Sequence, residues 1–131
     1  MSFTFSNILI PVDFSVNTEI AIKKALWLAV SLNPVIYLLH VLTPDVSAAG
    51  SYSHGYLFKA PVIQTEYVKF AEIRLQKIKE DIQQVFPQAG VVTKVVAADN
   101  IQMKIIEFAN SIKPELIVIG KNKNHRWLPF L

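Results

Sequence analysis

Asp13 is the side chain in this 131-residue sequence best placed to do chemistry, because it directly follows the apolar run Ile8-Leu9-Ile10-Pro11-Val12 and precedes Phe14 and Ser15. A carboxylate at the end of a buried segment either accepts hydrogen bonds from an amino or hydroxyl group of a ligand, or closes an Asx-turn that feeds a helix. Gly120 closes a second apolar run, Leu116-Ile117-Val118-Ile119. It is either a plain strand terminator or a point where backbone comes close to phosphate, and neither role tolerates a side chain. Lys121, Lys123 and Arg126, with His125 among them, form the only basic cluster. Beyond the fourth run they either attract an anion such as a triphosphate or form a solvated tail. Trp127-Leu128-Pro129-Phe130-Leu131 then needs burial, on this chain or on a partner.

Other chemistries lack their residues. His40, His54 and His125 are too far apart for a metal site, and His40, inside an apolar run, reads as a satisfied core histidine rather than a ligand. There is no cysteine, so a disulfide scaffold, thiol nucleophile or zinc ribbon is excluded. Four glycines supply neither the Gly-x-Gly-x-x-Gly dinucleotide fingerprint nor a P-loop, and no Gly-x-Ser-x-Gly elbow occurs. No catalytic residue and no metal ligand is assigned, and an enzyme is not expected.

The length and a hydrophobic share of 52% fit one domain, residues 1–131, able to bury its own core. Thirteen Lys+Arg against ten Asp+Glu leave a formal charge of +3, spread too thinly for a nucleic-acid footprint. The first residues carry no basic group ahead of their apolar run, so no signal peptide is expected and the location is read as cytoplasmic. Residues 25–42 are apolar but broken by Asn33-Pro34, so no membrane span is expected.

The elements that must position these residues follow from periodicity. Ile8–Val12 predicts a strand buried on both faces, ending near Pro11. Val16 to Leu32 predicts a helix capped by Ser15 or Asn17, and Val35–Leu42 a second strand. Residues 43–60 carry Pro44, Gly50 and Gly55 without any period and read as a long loop. From Pro61 to Pro87, Tyr67, Phe70, Ala71, Leu75, Ile78, Ile82, Val85 and Phe86 predict the apolar face of a long helix. Val91–Ala98, a helix marked by Ile101 to Ile112, and Leu116–Ile119 complete a βαβαβαβ order. That order predicts an α/β fold with a doubly wound, Rossmann-like parallel sheet of at least four strands, whose ligands sit at the strands' carboxyl ends.

The segments Ile8-Leu9-Ile10-Pro11-Val12-Asp13-Phe14-Ser15, Leu39-His40-Val41 and Glu115-Leu116-Ile117-Val118-Ile119-Gly120, with Thr18 and Ala21 behind the first, resemble the signatures of the universal stress protein family in order and spacing. The resemblance covers most of the chain. It implies a stress-response domain, commonly dimeric, with one branch that binds ATP and another that does not. In the ATP-binding branch the adenosine is held at positions matching Pro11, Val12, Asp13 and Val41, and the phosphates on a loop starting at Gly120. The family's next loop glycine falls at Lys123, and neither a Gly-Ser nor the last helix and fifth strand of the pattern follows before Leu131, as expected either of a truncated form of a longer protein or of a chain whose partner supplies the cover. Asp99 and Ile101 stand where the family often has glycine and proline near the ribose.

The expectation is therefore a non-enzymatic domain with a partial adenine-nucleotide site, self-associating or covered by a partner chain at its open sheet edge. The alternative is a competent ATP-binding module in which Lys121, Lys123 or Arg126 serves the phosphates, with magnesium as companion. No cofactor is fixed by the sequence.

Overall fold

The computed structural model describes residues 6–29, 34–43 and 65–120. They form β1 (Asn7–Pro11), α1 (Val16–Leu28), β2 (Val35–Leu42), α2 (Thr65–Val85), β3 (Gly90–Ala97), α3 (Ile101–Ile112) and β4 (Leu116–Ile117). The four strands make one parallel sheet in the order β3-β2-β1-β4. The βαβαβαβ order and the Rossmann-like, doubly wound architecture are thus present.

Strand alternation assigns the two faces. Ile8 and Ile10 of β1 and Ile36 and Leu38 of β2 pack on Ile22 and Ala25 of α1 and on Leu75 and Ile82 of α2. Leu9 and Leu39 point the other way, with Tyr37 and Val41, and meet Ile105, Phe108 and Ile112 of α3. Tyr37 and Phe108 stack edge to face at 6.4 Å. The first two crossovers run outward from β1 toward β3, while the third carries the chain back across the sheet to β4, so right-handed connections put α3 on the opposite face.

The helix ends follow capping chemistry. Ser15 caps α1 by accepting from the Thr18 N–H at 3.3 Å, and Asn100 caps α3 by accepting from the Met103 N–H at 3.0 Å. Lys113 ends α3 in the left-handed region at φ 51°, directly before Pro114.

Three boundaries differ from the sequence expectation for physical reasons. The first helix stops at Leu28, where the Ala29 N–H bonds to the Ala25 carbonyl, and residues 30–33 lie outside the described ones. The fourth strand pairs only through Leu116 and Ile117. Val118 N–H still reaches the Leu9 carbonyl at 3.0 Å, but the next rung of a parallel ladder would need an N–H from Pro11, which has none. The apolar face of the long helix is narrower than its spacing suggests. Ala71, Leu75 and Ile82 are buried, whereas Tyr67, Phe70, Ile73 and Val85 are exposed, because α1 and α2 both pack on the sheet without closing on each other. The 43–60 loop, Thr43 excepted, lies outside the described residues.

Candidate functional site

Crossovers leave in opposite directions on the two sides of β1, so the crevice between the carboxyl ends of β1 and β4 is the topological switch point. Pro11, the last residue of β1, is buried and in register with Leu39, and the Val12 N–H extends the ladder to the Leu39 carbonyl at 2.8 Å. The chain then turns sharply. Phe14 takes φ 62°, a left-handed conformation unfavourable for an aromatic residue, and this directs the backbone into the Ser15 cap of α1.

Asp13 holds that turn together. Its Oδ1 accepts from the Ser15 N–H at 2.9 Å and from the Thr18 hydroxyl, while its own N–H donates to Thr18 Oγ1 at 3.2 Å. Thr18 is only 3% exposed, so its hydroxyl is a buried polar group whose partners matter. Of the two roles open to Asp13, the Asx-turn is what Oδ1 performs here.

Gly120 meets the same place from the other strand. A Cβ on Gly120 would stand 2.5 Å from the Asn17 carbonyl oxygen, 2.6 Å from the Asn17 carbonyl carbon and 2.9 Å from the Thr18 nitrogen. The glycine is required by close approach of β4's continuation to the first turn of α1. Asp13 and Gly120, more than a hundred residues apart, therefore both abut Thr18.

His40 and Val41 lie on opposite faces of β2. Val41 faces the α3 side, in register with Val96. His40 Nδ1–H donates to the Val12 carbonyl at 2.6 Å, which fixes the tautomer, and its ring packs on Phe14 at 4.4 Å. Burial of the ring pushes its pKa below the usual 6.5, opposed by the Val12 carbonyl and the Asp13 charge and assisted by Arg74. Arg74 of α2 completes the stack, its guanidinium 4.1 Å above the Phe14 ring.

Sequence reasoning placed Pro11, Val12, Asp13, Val41 and Gly120 at strand ends, and the structure places the five at the carboxyl ends of β1, β2 and β4. Lys121 and Lys123 lie outside the described residues. It missed the reciprocal Asp13–Thr18 pair, for which the Asp-x-Ser-x-x-Thr spacing was an available signal, and the Phe14–Arg74 stack, for which there was none. Glu115 was also missed; its Oε1 accepts from the Ser6 and Asn7 N–H groups, which hold its carboxyl below the ordinary range.

Fold and topology define a doubly wound α/β protein whose parallel sheet has its switch point between β1 and β4. The model of the universal stress protein family matches residues 4–131, and the chain belongs to that family. Its structure resembles that of hypothetical protein MJ0577, the subject of a structure-based assignment of biochemical function, with TM-score 0.69 and 20% identity over 95% of this chain and 81% of that one. It also resembles the universal stress protein UspA from Lactobacillus plantarum, with TM-score 0.65 and 19% identity over 95% and 85% of the two chains. A third is a universal stress protein in complex with cAMP, with TM-score 0.53 and 12% identity over 88% and 71%. At these identities the likenesses show the fold. No curated protein matches the sequence.

Proposed function

We propose that this chain is a single-domain, non-enzymatic stress-response protein of the cytoplasm whose β1–β4 crevice takes the adenosine part of an adenine nucleotide. The observation that carries this is the convergence of Asp13 and Gly120 on Thr18 at the switch point, beyond the carboxyl ends of β1 and β4. Pro11, Val12 and Val41 offer backbone and apolar surface on either side. A universal stress protein of the same fold with cAMP bound supports an adenine ligand.

The phosphate half of the site is incomplete. Lys123 replaces a glycine of the family's loop, and a side-chain ammonium does not reproduce backbone N–H groups wrapped around phosphate. Isothermal titration with adenosine, AMP and ATP with magnesium tests this. Weak affinities that rise little from adenosine to ATP are expected, and Asp13→Ala should abolish them. Micromolar ATP binding would replace this reading with the competent ATP module that uses Lys121, Lys123 or Arg126.

Self-association belongs to the same proposal. Of the described strands β3 and β4 are the edges, and β4 pairs through two residues only, leaving backbone groups for a second chain. A sedimentation experiment giving a monomer at high micromolar concentration would remove this part. No helix among the described residues is long and apolar enough to cross a membrane.

A further inference from the structure

We propose that the groove between α1 and α2, which reaches the first turn of α1 at Ser15 and Thr18, is a second ligand site for an amphipathic carboxylate with one alkyl chain. The two helices lie on the same face of the sheet but stand apart, and the space between them forms a cavity of about 640 Å³, within the roughly 300–1,000 Å³ of small-molecule pockets. Its walls are aliphatic: Ile22 and Leu26 on α1, Ile78 and Ile82 on α2. Ile73 and Val85, also in the lining, are 68% and 77% exposed, so the groove carries apolar surface that the described chain does not cover.

The charged groups of the lining define the head of the ligand. Lys77 and Asp81 neutralise each other at 3.0 Å. Lys23 and Arg74 then stand against Glu19 alone, a surplus of one positive charge. Arg74 is held in place by Phe14 at the end of the groove, with the guanidinium 4.1 Å above the ring. Stacking occupies the guanidinium face and leaves the in-plane N–H donors for a carboxylate, the geometry in which arginine binds that group best. Among the described residues no carboxylate lies within salt-bridge distance of Arg74. One anionic head at Arg74 and an alkyl chain running toward Ile82 and Val85 satisfy both ends of the groove.

The test is fluorescence titration of the full chain with 11-(dansylamino)undecanoate, followed by displacement with dodecanoate and, as the neutral counterpart, 1-dodecanol. Saturable one-to-one binding displaced by dodecanoate is expected. Arg74→Gln should weaken dodecanoate about tenfold or more while changing dodecanol little. Ile73→Glu, at an exposed position that leaves the fold intact by thermal unfolding, should abolish binding of both. Adenosine should not displace the dansyl probe, which separates this site from the nucleotide crevice. Absence of saturable binding, equal loss of both ligands in Arg74→Gln, or binding that survives Ile73→Glu would overturn the proposal. So would binding that emerges only when residues 121–131 are removed, which would assign the groove to the chain's own apolar segment.

Discussion

Gly120→Ala tests whether the switch point is held by direct backbone contact. The added methyl would begin 2.5 Å from the Asn17 carbonyl oxygen, against about 3.4 Å for an ordinary contact, so α1 and the end of β4 must separate by close to 0.9 Å. The obstacle is backbone at the first turn of a helix whose Ser15 cap and Thr18 hydroxyl are both engaged, so no side chain can rotate aside. Overpacking of this kind costs roughly 1–3 kcal/mol. Replacing glycine also narrows the unfolded ensemble, which offsets about 0.4–1 kcal/mol. The net loss is about 0.5–2 kcal/mol, and at about 3–5 °C per kcal/mol for a chain of this length Tm falls by a few to about ten degrees. Urea unfolding should show a lower midpoint at unchanged slope, with faster amide exchange at Thr18. A variant as stable as the parent, with exchange at Thr18 unaltered, would refute the close-approach account and return Gly120 to the role of a plain strand terminator.

Two further outcomes follow from the same neighbourhood. Thr18→Val keeps the side-chain shape but removes both hydrogen bonds to Asp13, and chemical denaturation should show a loss of about 1–3 kcal/mol. His40 has a folded pKa below its ordinary 6.5, so the unfolded chain takes up the proton first; its contribution is fully present above that value and is lost as pH falls from it through the folded pKa. A stability profile from pH 7.5 to 5 should therefore decline, and His40→Gln should flatten that part of the decline; an unchanged profile would show that His40 is not the titrating group.

The elements were legible because periodicity reports local burial. The unbroken apolar runs of β1 and β2 announced strands covered on both faces, and Ser15 and Pro87 marked helix ends by chemistry confined to a few neighbouring residues. The shortness of β4 was not legible from its own residues. It depends on Pro11 standing on the adjacent strand, where the missing N–H ends the ladder. The face of α2 was overestimated because Tyr67, Phe70 and Val85 obey helical spacing whether or not a second helix arrives to cover them.

Asp13 and Gly120 stood out because each follows an apolar run, and a parallel α/β sheet gathers strand ends on one side. From the sequence alone, then, come the order of elements, the parallel sheet and the side on which its strand ends gather, all consequences of local pattern and right-handed crossovers. Tertiary structure decided that Asp13 and Gly120 meet at Thr18, that Arg74 rests on a strained Phe14, and that two helices on one face leave a groove between them. Those distances depend on strand register and on how far apart the helices settle, and neither is written in the spacing of residues along one segment.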